Sequence, residues 1–370
     1  MRRLTALLLI LMLVMGLAPG MAEDETIIEI RDIAGLKDVA NHPGAHFRLM
    51  NDLDLQDEDW TPIPFSGELD GGGFGIYNLE VTRVGEDVRT TVDGNMKKYD
   101  SVFAGLFSVA ENANIHDLKV VGAHVEVDAE THCFAAIVAG YADNVDFTNV
   151  TVDGRARLNN YAVMTGVGGL AGFGWTAVNE CQVRAELIFE DRNFDSRCEQ
   201  FLGGILACGF CRILDCTVEI DGYDSCHGYV HNGGLVGMYW HCGKKNFLRD
   251  AKRTVTRNTV TGRIYFFEDN PDRRAYCSGD IGEPFKKKMK LNLFKNDTKG
   301  FERKELKENK EEAKKRRKAG IRYEVVLLPE TCENPEYELL VNLPSEGEWG
   351  YTEHVCTKCG YSWRDHYTAP

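Results

Sequence analysis

The chain has 370 residues, 43% of them hydrophobic and 27% charged, which is enough apolar material for a packed core and excludes a chain disordered throughout. Its formal charge of −14 is unevenly spread, because residues 244–322 hold 25 Lys and Arg against 12 Asp and Glu. Composition therefore marks an organisational boundary near residue 244. The 12 cysteines permit disulfides in an oxidising space, but their spacing is not that of a small stapled scaffold.

At the start, Arg2 and Arg3 precede an apolar run over 4–17, and Gly20-Met21-Ala22 closes it with small residues. This pattern predicts a secretory signal peptide over 1–22, cleaved after Ala22, and places the mature protein outside the cell, secreted or held at the surface. A membrane span needs about 20 apolar residues. The run is shorter and is followed at once by Glu23, Asp24 and Glu25, so no transmembrane segment is expected after cleavage. Next, Ile33, Leu36, Val39 and Ala40 fall at helical spacing and predict a short amphipathic cap at the N-terminal end of the body.

Two interleaved repeats follow. The first is a small-small-aliphatic step: Gly105-Leu106, Ala136-Ile137, Gly169-Leu170, Gly204-Ile205 and Gly234-Leu235, with the aliphatic residues 31, 33, 35 and 30 positions apart. The second is a polar residue leading into an alternating apolar strand: Asp117-Leu118, Asn149-Val150, Glu180-Cys181 and Asp215-Cys216, spaced 32, 31 and 35 apart. Strand, turn and strand at this period predict a solenoid whose equivalent residues stack about 4.8 Å apart. Propeller blades need four strands and about 40 residues or more, so the short period favours the parallel β-helix. The small residues belong where the backbone turns sharply within a stack. Cys181 and Cys216 are expected to stack as buried small hydrophobes, with a disulfide between them as the alternative.

Gly169-Leu170-Ala171-Gly172 and Gly234-Leu235-Val236-Gly237 resemble the GLUG motif of repeat-containing bacterial secreted and surface proteins. The entry segment is similar to the first coils of that family, in Asn51-Asp52-Leu53-Asp54-Leu55, Trp60-Thr61-Pro62-Ile63 and Gly67-Glu68-Leu69-Asp70-Gly71-Gly72-Gly73. The resemblance covers residues 27–265. It implies a right-handed parallel β-helix on an extracellular, adhesin-like protein. Ala136-Ile137-Val138-Ala139 and Gly204-Ile205-Leu206-Ala207 are degenerate copies, and the step from Cys216 to Asn258 carries an insertion.

The fold expected is thus all-β: a parallel β-helix over 23–270, a basic linker over 271–322 with a charged helical spacer at 300–318, and a small Cys-containing segment over 323–370. Cys356-Thr357-Lys358-Cys359-Gly360 is a zinc-knuckle spacing, and Cys332 with His354 or His366 would complete four ligands. A structural zinc, a disulfide and free thiols all remain open there. The basic segment lacks the aromatic interleaving of a nucleic-acid surface, so no nucleic-acid partner is expected.

Catalysis is the alternative reading, as a carbohydrate-active β-helix enzyme, either a polysaccharide lyase or a glycoside hydrolase. Lyase chemistry would want a basic residue beside calcium-binding carboxylates. Glycoside hydrolysis needs two carboxylates about 5–10 Å apart. Asp153, Glu186, Glu190, Asp191, Asp195, Glu219 and Asp221 are the candidates, with Arg155, Arg157 and Arg184 near them, and no spacing selects a pair. His227, His231 and His241 gather near Cys226 and Cys242 without a closed metal motif. The reading favoured is non-enzymatic: a solenoid face presented to a glycan, a cell-wall polymer or a host surface protein, with Tyr141, Trp175 and Tyr239 outward on the ligand face.

Overall fold

A computed structural model describes residues 26–92, 97–160, 162–191, 199–224, 229–239, 255–266, 275–277, 281–283, 336–346, 349–358 and 362–370. The expected leader and charged helix, along with Cys332, Cys359, Asp195, Cys226, His227, His241 and Cys242, lie outside those residues.

The 30–35-residue period folds as a parallel β-solenoid with three sheets. One coil runs through Thr151–Asn160 in sheet 2, Met164–Gly168 in sheet 3 and Ala171–Asn179 in sheet 1. The next runs through Gln182–Asp191, Glu199–Gly203 and Leu206–Leu214 in the same order. Strands pair in parallel with equivalent residues in register, so one residue type forms a column through the stack. Val120, Val152, Val183, Val218 and Val260 make one such column in sheet 2. Leu106, Ile137, Leu170, Ile205 and Leu235, the aliphatic residues of the first repeat, are all fully buried. Strands Ala275–Cys277 and Ile281–Glu283 continue sheets 3 and 1, carrying the solenoid past residue 270. Among the described residues no helix is long and apolar enough to cross a membrane.

At the N-terminal end, the helix Ile33–Asp38 and a 3-10 turn Val39–Asn41 form where the spacing of Ile33, Leu36 and Val39 predicts a cap. Asp32 caps the helix, its carboxylate accepting the Gly35 N–H at 2.8 Å. Leu36 and Val39 turn into the core.

The polar residue of the second repeat has a backbone role that its chemistry explains. Asp117, Asn149, Glu180, Asp215 and Arg257 have φ of 52, 53, 56, 55 and 57°, so each of these five coils enters sheet 2 through a left-handed residue. Asn and Asp accept this conformation because their short side chains bond locally, whereas Glu and Arg bear more of the cost. Some of these side chains also tie coils together: Asn149 Nδ2 donates to Asp117 Oδ1 at 2.6 Å, and Arg257 pairs with Asp215. Glu180→Asn is therefore expected to raise stability by about 0.5–1 kcal/mol. An unchanged denaturation midpoint would show that Glu180 carries no such strain.

Cys181 and Cys216 are buried on successive coils, at 0 and 1% exposure, and neither forms a disulfide. The next coil places Asn258 after the left-handed Arg257, and its side chain accepts from Cys216 N at 2.9 Å and donates to Ile213 O at 3.0 Å. The buried amide thus closes the column with hydrogen bonds instead of apolar contact.

The outward aromatic face is corrected. Tyr141, Trp175 and Tyr239 are 6, 7 and 3% exposed. Sheets 3 and 1 meet at a corner where the rows that would face solvent on a straight strand fold against each other. Phe103 packs on Tyr141 with ring centroids 5.1 Å apart, Phe134 on Phe173 at 5.0 Å, and the Tyr239 hydroxyl donates to Cys211 O at 2.8 Å. Both alternating sets are therefore buried here, which a period-two pattern alone does not reveal. His231 is likewise buried, its ring stacked on Phe201 at 5.1 Å.

The C-terminal segment is docked on the body. Tyr337–Asn342, Gly350–Cys356 and Ser362–Thr368 form an antiparallel sheet that lies against sheet 2 of the solenoid. Trp349 stacks on Tyr77 with centroids 3.5 Å apart and planes 7° apart, and its Nε1 donates to Asp52 at 2.9 Å. Asn78 exchanges two bonds with the Tyr367 backbone, donating to its carbonyl at 2.8 Å and accepting its N–H at 3.0 Å. The amide side chain stands in for a neighbouring strand.

Candidate functional site, a roofed polar groove

The sheet 2 strands place polar side chains on their outward face, and the parallel register stacks acidic and basic groups in rows one coil apart. One row runs Asp153, Arg184, Glu219; another runs His124, Arg155, Glu186, Asp221. Arg184 lies 3.7 Å from Asp153 and 4.0 Å from Glu219, and Arg155 pairs with Glu186. Over these rows the C-terminal sheet contributes Ser362, Arg364 and His366, enclosing a groove of about 560 Å³. Arg364 is held by Glu353 at 3.6 Å and by the Tyr351 ring, 4.3 Å from its centroid.

Six carboxylates line the groove (Asp57, Glu80, Asp153, Glu186, Glu219 and Asp221) against three guanidiniums (Arg155, Arg184 and Arg364), which leaves an acidic excess. Asp153 is partly buried in this set. Burial raises its carboxyl above the usual range, while Arg184, Arg364 and the Tyr367 hydroxyl, at 3.3 Å, pull the other way. Burial and the Asp153 charge push the Tyr367 phenol up in turn. Burial and Arg155 lower His124, so its imidazole tends to be neutral and offers both a donor and an acceptor.

Of the carboxylates read from sequence, Asp153, Glu186, Glu219 and Asp221 converge here with Arg155 and Arg184. Glu190 instead bonds Arg157 at 2.7 Å, and Arg157 also reaches Glu126 at 3.1 Å, outside the groove lining. Sequence reasoning missed His124, Ser362, Arg364 and His366 as groove residues. The alternation of Lys119–Ala129 could have flagged His124 as outward, but nothing local announces where a segment more than 200 residues away will dock. Of the zinc candidates, His354 and Cys356 lie two residues apart on one strand, hence on the same face, and Cys356 is buried. Their proposed companions Cys332 and Cys359 are outside the described residues.

Fold and groove together define a β-solenoid with a lateral, acid-rich, roofed cleft. No family model and no curated protein matches the sequence. Among solved structures, a putative immunoglobulin A1 protease from Bacteroides ovatus is similar at 13% identity over 66% of this chain and 78% of that one, with a TM-score of 0.32. An IgA1 protease is similar at 9% identity over 93% of this chain, with a TM-score of 0.30; the match spans 34% of that protein's length. Likenesses this distant carry no argument about activity.

Proposed function

We propose that this is a secreted or surface-held, non-enzymatic binding protein of the GLUG-repeat kind, and that the roofed groove takes a hydroxyl- and amino-bearing segment of a glycan or cell-wall polymer. The observation that carries the reading is the groove itself: about 560 Å³ bounded by stacked rows of acidic and basic side chains with more carboxylates than guanidiniums. Such rows offer many directed hydrogen bonds to a polar chain and favour cationic substituents on it. Pairing of the carboxylates supports binding over nucleophilic chemistry, since Asp153 and Glu219 share Arg184 and Glu186 is bonded to Arg155.

A glycan array followed by calorimetry on the best ligand tests this. Arg184→Ala is expected to weaken binding about tenfold, or about 1.4 kcal/mol. Affinity unchanged by that substitution would remove the groove from the account. The second reading, a carbohydrate-active enzyme, rests on the raised carboxyl of Asp153, which suits a proton donor. Release of reducing ends from a polysaccharide, abolished by Asp153→Asn, would replace binding with catalysis.

A further inference from the structure

A second polar cluster lies on sheet 1, away from the groove. Parallel register sets Arg48, Asp70 and His116 side by side on three strands, and Asp117 follows as the left-handed residue of its coil. One donor atom from each of Asp70, His116 and Asp117 can be chosen so that all lie within 4.8 Å of one another. His116 Nδ1 is 2.8 Å from Asp117 Oδ2 and 3.8 Å from Asp70 Oδ1, while its Nε2 is 3.5 Å from Glu68 Oε1.

Both aspartates are also oriented from outside the cluster. Arg48 holds Asp70 through Oδ2 at 2.7 Å, and the Gly72 N–H donates to Oδ1 at 2.7 Å, the oxygen that faces the imidazole. Asn149, one coil on, holds Asp117 through Oδ1 at 2.6 Å, which leaves Oδ2 toward the same ring nitrogen. Outer groups that hold carboxylates in a set orientation are what metal sites use to position their ligands. The charges agree: Glu68, Asp70 and Asp117 against Arg48 leave two negative charges, the complement of one divalent cation.

We propose that Asp70, His116 and Asp117 form a binding site for a first-row divalent metal ion, with Glu68 close by and Arg48 and Asn149 as orienting residues. One imidazole among carboxylates is a mixed nitrogen and oxygen donor set, which suits zinc, cobalt or manganese and not calcium, whose ligands are oxygens. Because the ligands come from strands on different coils, a bound ion cross-links the stack near its N-terminal end.

Titration of the full chain with Co²⁺, followed by visible absorption and calorimetry, tests the proposal and separates it from any cysteine site. A nitrogen and oxygen site gives weak d–d bands, whereas thiolate ligation adds intense charge-transfer absorption at higher energy. The expected result is one ion per chain in the weak-band signal, with affinity reduced at least about tenfold by His116→Gln and similarly by Asn149→Ala. Asn149→Ala leaves all three ligands in place and guards against loss of fold in the first variant, and metal-free melting of both variants checks the fold directly. No weak-band signal at millimolar Co²⁺, or a signal that both variants retain at full affinity, would reduce the cluster to an ion-paired imidazolium and overturn the proposal.

Discussion

Gly169→Ala is expected to destabilise the protein by about 3 kcal/mol or more, whereas Gly73→Ala costs only about 1–2 kcal/mol. A Cβ on Gly169 would sit 2.1 Å from the Gly204 carbonyl oxygen and 2.8 Å from a Val183 methyl. The carbonyl cannot withdraw alone, because Gly204 is packed in the same way, its own Cβ position lying 2.1 Å from Gly234 O. Relief requires the coils to spread, and spreading lengthens the bonds that join them, such as Leu170 N to Ile205 O at 3.0 Å and Ile205 N to Leu235 O at 2.8 Å. Gly73, by contrast, has φ of +83° and nothing within 4 Å of its Cβ position, so only the backbone preference is lost. Guanidinium midpoints of the two variants check this. Equal midpoints would mean that the corner is more yielding than its geometry implies. A solenoid transmits such damage mainly to neighbouring coils, so hydrogen exchange should show the greatest loss of protection around residues 164–214.

Trp349→Ala is expected to release the C-terminal sheet from the solenoid, with a loss of about 2–3 kcal/mol in docking and no matching loss in the coils. The indole supplies both the flat contact on Tyr77 and the bond to Asp52. The contacts that the substitution leaves in place include the backbone exchange with Asn78, the bond from Tyr367 to Asp153 and the Tyr367 ring packed at Gly122. A three-stranded sheet with an exposed first strand has little core of its own: Leu339, Val341 and Leu343 are 57, 67 and 81% exposed. Exchange protection should therefore fall over residues 350–356 while Val152 and Val183 stay protected. The same substitution should weaken the ligand found for the groove, because Arg364 and His366 leave with the sheet. Full protection of 350–356 in the variant would show that the docking does not depend on Trp349.

How legible each feature is depends on how far its cause is spread along the chain. The solenoid can be read because each coil repeats the same local problem. A sharp corner next to a neighbouring backbone demands a small residue, as at Gly169 and Gly204, and a left-handed entry to sheet 2 favours Asn or Asp, as at Asn149 and Asp215. Those requirements recur at one period and leave a pattern in the letters. The aromatic residues mislead for a related reason. Period-two alternation assigns Tyr141 and Trp175 to an outer face, but whether that face meets water depends on the angle between two sheets, which no single strand encodes. The groove is half legible: its acids and arginines sit at regular outward positions of sheet 2, yet nothing in their spacing distinguished them from solvated surface pairs.

From the sequence alone follow the all-β character, the coil period, the apolar columns and the N-terminal cap, since each is set by neighbours in the chain or by the equivalent residue one period away. Only the tertiary structure decided that the C-terminal sheet roofs sheet 2, that the Tyr367 hydroxyl meets Asp153, and that Asp70 and His116 share a cluster. These depend on complementarity between surfaces far apart in the chain, and complementarity of that kind has no period to betray it.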